Sequence, residues 1–77
     1  MSKKSELQRA IQASEEELEL LEKKRMRSQS ALLDAVLMKT QPDEKDVKYF
    51  KVYTQLIEVE RTNLRKLRDE LEKETKK

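Results

Sequence analysis

The chain has 77 residues, of which 44% are charged and 35% hydrophobic, and its net charge is +2. It contains no cysteine, histidine or glycine, which excludes disulfides, thiolate metal sites and glycine-rich phosphate loops. A chain this short forms one small domain with little interior, and its many Glu, Lys, Arg and Leu residues are typical of a coiled coil.

The first predicted element is a helix over residues 5–39. Ser5 and Gln8 have the spacing of a capping box, in which each side chain would bond a free amide at the helix start. Within 5–39 there is no proline or glycine to interrupt the helix. We therefore expect a long helix of about 50 Å, from the rise of 1.5 Å per residue.

A turn is predicted at residues 40–42, followed by a second helix over 42–75. Pro42 is the only proline in the chain, and the first turn of a helix tolerates its missing N–H. Thr40 or Gln41 is the expected cap of this helix. One continuous helix in a parallel coiled coil is the alternative, but an interior proline costs about 3 kcal/mol.

Along both helices the seam residues repeat in steps of four and three, which is heptad spacing. The two stripes stay in phase when the chain folds back at the turn. The predicted fold is therefore all-α, with two long helices in an antiparallel coiled-coil hairpin over 1–77, and pairing of hairpins into a helical bundle as a further option. Its main hydrophobic seam residues are Ile11, Leu18, Leu21, Leu32, Phe50, Ile57, Leu64, Leu67 and Leu71.

Polar residues interrupt this seam. Folding at the turn is expected to place Ser14 opposite Leu67 and Ser28 opposite Tyr53. Arg25 is expected to lay its stem along the seam and reach Glu60, which would fix the register of the two helices.

One hairpin cannot cover all its apolar residues, because further ones lie outside the seam near the turn. The second helix carries them at four-three spacing on another face, whereas the half of the hairpin away from the turn has no such surplus. Exposed apolar surface usually marks an interaction site, so we expect contact with a second copy or with another helical protein. The predicted contact residues are Met26, Leu33, Leu37, Tyr49, Val52, Leu56 and Val59.

A basic band in the middle of the hairpin suggests a second class of partner. Lys24, Arg27, Arg65 and Lys66 are expected to lie near one another and could track a nucleic-acid backbone. Neighbouring glutamates and the lack of aromatic residues there favour a solvated helix flank instead.

The start of the chain resembles the N-terminal coiled-coil hairpin of hantavirus nucleoproteins. The similarity covers most of the chain, and "PDEKDV" is similar to the lead into the return helix of that hairpin. It implies an assembly arm that joins nucleoprotein molecules. The residues that match in the first helix are Glu6, Leu7, Gln8, Ile11, Ala13, Glu15, Leu18 and Lys24.

Two further segments, "KKRMRSQSALLDAV" and "LRKLRDELEK", are similar to the Rho-binding hairpins of protein-kinase-N and rhophilin type effectors. This resemblance implies binding of a small GTPase. The family has a Gly-Ala pair after the basic stretch, and here the comparable small residues are Ser28, Ser30 and Ala31.

The sequence thus predicts a non-catalytic module for protein–protein interaction or oligomerisation. We expect no enzyme activity, cofactor or metal site, because the acidic residues are spread along exposed helix faces without a pocket. The apolar runs are too short to span a membrane and no secretory signal is visible, so the expected location is intracellular, in the cytoplasm.

Overall fold

The structure, a computed structural model, describes residues 2–76 and contains two α-helices. Helix α1 (Lys3–Leu37) and helix α2 (Glu44–Thr75) lie side by side and form a rod of 58 × 16 × 15 Å. The predicted all-α antiparallel hairpin is confirmed. Residues 1 and 77 of the predicted single domain lie outside the described residues.

Helix α1 begins at Lys3, two residues before the predicted start, because Ser2 caps it. The Ser2 Oγ accepts a hydrogen bond from the Ser5 amide at 3.2 Å, and the Ser2 hydroxyl donates to the Ser5 Oγ at 3.2 Å. The prediction that Ser5 caps the helix with Gln8 was wrong. Ser2 and Ser5 have the same spacing as Ser5 and Gln8, three residues earlier in the chain, and there the first residue of the pair caps the helix.

Helix α1 ends at Leu37 rather than at residue 39, because Lys39 adopts a left-handed conformation with φ of 55°. The Lys39 amide donates to the Val36 carbonyl at 3.1 Å and the Thr40 amide to the Ala35 carbonyl at 2.9 Å. This pair of bonds is a Schellman motif, in which the left-handed position is usually glycine. Lys39 therefore occupies a conformation that a side chain disfavours.

Helix α2 begins at Glu44, so Pro42 precedes the helix instead of lying in its first turn. Asp43 is the cap, and its Oδ1 accepts from the Lys45 amide at 2.9 Å. The predicted caps were wrong: the Thr40 hydroxyl donates to the Ala35 carbonyl at 3.3 Å, at the end of α1. Pro42 still separates the helices, since the residue before a proline avoids helical geometry.

The nine predicted hydrophobic seam residues all lie between the helices. Three of them, Leu21, Ile57 and Leu64, are buried, and the other six are partly buried. Ile57 has no exposed surface, and Leu7 is buried near the open end of the hairpin. The heptad stripe thus supplies the apolar contact between α1 and α2, and ion pairs on its flank add polar contacts.

The register of the polar seam residues differs from the prediction. The Ser14 hydroxyl donates to the Glu60 carboxylate at 2.5 Å, so Glu60 lies beside Ser14 and does not pair with Arg25. Ser14 is 4% exposed, and a short bond from a hydroxyl to a carboxylate is among the stronger hydrogen bonds. Buried serine thus provides a partner for a carboxylate that would otherwise be costly in the seam.

Candidate protein-interaction surface

The two halves of the hairpin divide apolar residues unequally. We call residues 3–22 and 57–75 the stem half, and residues 23–56 the turn half. All four buried apolar side chains of the described residues lie in the stem half. Among residues 2–76, eight of the ten exposed large hydrophobic residues lie in the turn half, and the other two, Leu20 and Val59, lie at its border.

Two grooves run between the helices, one on each side of the hairpin. One is lined by Glu15, Glu22, Arg61 and Arg68, and we call this the arginine side. The other is lined by Lys24, Arg27, Ser28, Asp46, Tyr49 and Tyr53, and we call this the tyrosine side. Glu22 and Lys24 are two residues apart, about 200° around a helix, so the two sides face away from each other.

On the arginine side, ion pairs join the two helices across the groove in the stem half. Arg68 lies 3.4 Å from Glu15, and Arg61 lies 3.3 Å from Glu22, one heptad along each helix. Leu18 and Leu64 lie in the same groove between these pairs. All four charged groups are about half exposed, so each pair contributes at most about 1 kcal/mol.

The seven predicted contact residues are all exposed, but they do not form one surface. Met26 follows Glu22 by one helical turn and Leu33 follows Met26 by a heptad, which places both toward the arginine side. Leu37 follows Leu33 by one further turn. The remaining four, Tyr49, Val52, Leu56 and Val59, continue the stripe that Tyr49 begins on the tyrosine side.

Leu20, Val36 and Met38 are exposed hydrophobic residues that the sequence prediction did not include among the contact residues. Leu20 is 47% exposed and lies seven residues before Arg27, hence on the tyrosine side. The signal was present in "LELLEKK", where only one of the two adjacent leucines can enter the seam.

Two stacked aromatic rings mark the tyrosine side. The Tyr49 and Tyr53 rings have centroids 6.2 Å apart and planes inclined by 29°. Tyr53 is partly buried against the seam, whereas Tyr49 is half exposed. The pair extends the hydrophobic interior of the hairpin outward onto the tyrosine side.

The structure does not bring the four residues of the predicted basic band onto one surface. Lys24 and Arg27 lie on the tyrosine side, and so does Lys66, which follows Val59 by a heptad. Arg65 lines the groove of the arginine side, between Arg61 and Arg68. All four are exposed, and none forms an ion pair with another residue in the range 2–76.

The described part of the chain offers neither a cluster of metal ligands nor a membrane-spanning segment. No group of three or more acidic residues is placed to hold a metal ion. Neither helix contains an apolar segment long enough to cross a membrane.

Comparison with protein-family models, curated proteins and solved structures found no match to this chain. The candidate surface is therefore described by its own geometry: an ion-paired stem half and a turn half with exposed apolar residues on two sides.

Proposed function

We propose that this hairpin is a non-catalytic module for protein–protein interaction or oligomerisation, and that its turn half makes the contact. The observation that supports this most strongly is the concentration of exposed large hydrophobic residues in residues 20–59. Among them, Tyr49, Val52, Leu56 and Val59 form one stripe on the tyrosine side, and a stripe of this kind usually marks an interaction site. The proposal places the hairpin in the cytoplasm and its partner among proteins, either a second copy or another helical protein.

The assembly arm of a viral nucleoprotein is a narrower form of this proposal. Its support is the resemblance of the first helix and of the "PDEKDV" segment to hantavirus nucleoproteins, together with the hairpin fold. A hairpin that binds small GTPases is the corresponding narrower form for the Rho-effector resemblance. Both narrower forms use the same exposed helix surfaces.

Nucleic-acid binding is the alternative, and its support is the exposure of Lys24, Arg27, Arg65 and Lys66 without ion pairs. Their division between two sides weakens it, because a phosphate backbone could follow only one side at a time. This alternative predicts affinity for a DNA or RNA duplex that falls steeply with salt, and that is lost when the four residues are replaced by Gln.

The test combines Leu33→Asp and Leu56→Asp, one substitution on each side. Both residues are exposed, so the double variant should stay helical. Wild-type and variant chains are compared by light scattering and as bait in the same cell extract. Self-association, or a retained protein, that is present for the wild type and lost in the variant supports the proposal.

A matched control adds two acidic residues elsewhere. Gln8→Asp with Thr62→Asp has the same charge, and both residues are exposed in the stem half. If the wild type, the test variant and the control all remain monomeric and retain the same proteins, the turn half is not a contact surface.

A further inference from the structure

We propose that the tyrosine side binds a second copy of this chain, with the two hairpins antiparallel and their turns at opposite ends. This inference rests on the proposed function and specifies its partner. It starts from five exposed apolar residues that share one side: Leu20, Tyr49, Val52, Leu56 and Val59. The four on α2 have the four-three spacing with which a helix packs against another helix.

The area of the tyrosine side determines how far two copies must overlap to form a stable interface. A side of 58 by 16 Å covers roughly 900 Å² per partner, or about 1,800 Å² in total, which is the size of a stable interface. Overlap of the turn halves alone would bury about half of that, below the usual range for stable complexes. We therefore infer that the two hairpins overlap along their whole length.

Two twofold arrangements stack one side of the hairpin on itself with full overlap. In the first, the axis runs along the helices, the turns lie together, and α1 lies over α2 of the second copy. Lys24 and Arg27 would then face the apolar stripe of α2 around Val52 and Leu56, with Asp46 as the one carboxylate among the described residues of their groove for two cations. Desolvating two cations in this way is unfavourable.

In the second arrangement the axis crosses the helices at their middle, and each helix lies antiparallel to its own copy. Reversing α1 about the point between Leu20 and Leu21 exchanges position 17 with position 24. Glu17 lies on the tyrosine side, one heptad before Lys24, so each Glu17 faces Lys24 of the second copy. Leu20 lies almost on the axis and faces its own copy.

The same reversal is consistent along the rest of α1. It exchanges Ala10 with Ala31, two small residues that let helices approach closely. Arg27 faces the region of Ala13, where its side chain can extend along the interface. Asp34 and Glu6 form the one like-charge contact.

Helix α2 gives a matching set when it is reversed between Ile57 and Glu58, a point that the contacts Ser14–Glu60 and Glu22–Arg61 place near the height of Leu20 and Leu21. Leu56 then faces Val59, and these are the two residues of the apolar stripe that lie nearest the axis. Lys45, on the tyrosine side one heptad before Val52, faces Glu70 of the second copy. Tyr49 faces Lys66, a favourable contact of a cation with an aromatic ring. Both helices thus support the same axis.

The first test is a cysteine at the axis. The chain has no native cysteine, and Leu20 is exposed, so Leu20→Cys should fold normally. The arrangement predicts a disulfide-linked dimer under mild oxidation, since Cα atoms must come within about 7 Å to form the bond. Leu33→Cys, an exposed leucine on the opposite side, is the control and should not cross-link.

The second test exchanges the charges that face each other. Glu17→Lys sets lysine against Lys24, and we expect the dissociation constant of the dimer to rise about tenfold. Adding Lys24→Glu should restore wild-type association. Asp34→Asn should tighten the dimer, because it removes the like-charge contact with Glu6.

The outcomes separate this inference from the proposed function. A wild-type dimer of twice 9.2 kDa, together with a disulfide link in the Leu20→Cys variant but not in the Leu33→Cys variant, supports it. A dimer without a link at position 20 overturns the arrangement. A monomer at millimolar concentration overturns self-association, while loss of another bound protein in the double aspartate variant would still support the proposed function.

Discussion

The stem half and the turn half of this hairpin share the same heptad pattern, yet they differ in how much of their apolar surface the two helices bury. In the stem half, Leu7, Leu21, Ile57 and Leu64 are buried, and ion pairs flank the seam. In the turn half, the apolar seam residues Leu32, Phe50 and Tyr53 are all only partly buried, and further apolar residues lie outside the seam. The stem half also has partly buried seam residues, but its fully buried ones alternate with them. Two helices suffice to bury the apolar residues of the stem half, whereas those of the turn half need further helices to cover them.

The largest expected effect comes from the middle of the seam. Ile57→Ala removes the one large side chain of residues 2–76 that has no exposed surface, and it should lower the free energy of unfolding by about 2–5 kcal/mol. Urea denaturation followed by helicity measures this, with Ile57→Val as a milder step of about 0.5–1.5 kcal/mol. Val59→Ala, on an exposed position of the same helix, is the control. A loss as large at residue 59 would contradict the assignment of the seam.

The two buried serines allow a direct comparison of the halves, because one lies in each half and their hydroxyls have different hydrogen-bond partners. Ser14 donates to the Glu60 carboxylate, whereas the Ser28 hydroxyl donates only to the Lys24 carbonyl of its own helix, at 3.5 Å. Ser14→Ala leaves a partly buried carboxylate without this partner and should cost about 1–3 kcal/mol. We expect Ser28→Ala to change the free energy of unfolding by less than about 0.5 kcal/mol. Equal losses at the two positions would show that Glu60 does not depend on Ser14.

A glycine at position 39 of the turn should stabilise the hairpin. Lys39→Gly removes the steric cost of the left-handed conformation and should raise the free energy of unfolding by about 1 kcal/mol. Lys39→Ala is the control, because alanine keeps the steric cost, and it should give no gain. A gain from both substitutions would mean that the lysine charge, rather than the backbone conformation, is unfavourable.

The smallest effect is expected at the ion pairs of the stem half. A double-mutant cycle on Glu22 and Arg61, each replaced by Gln, should give a coupling of about 0.2–1 kcal/mol that decreases in 1 M salt. A coupling that stays constant as salt increases would contradict the exposed geometry of this pair.

Heptad spacing was sufficient to predict the hairpin, because each apolar position of the seam repeats regularly and Pro42 separates the helices. It was not sufficient to predict the partner of Glu60. A glutamate side chain is long enough to contact residues at more than one level of the opposite helix, and Glu60 accepts a hydrogen bond from Ser14. The cap of α1 was misplaced because serine occurs at both positions 2 and 5. The division of the contact residues into two sides required both helices in place, because each helix alone does not show which flank faces its partner.

Amide hydrogen exchange, resolved by residue on the isolated chain at low concentration, tests the contrast between the two halves most directly. We predict the slowest exchange around Leu18–Leu21 and Ile57–Leu64 in the stem half, and clearly faster exchange at 30–37 and 46–53 in the turn half. Uniform protection along both helices, or slower exchange next to the turn, would contradict the claim that the turn half is completed only by a partner.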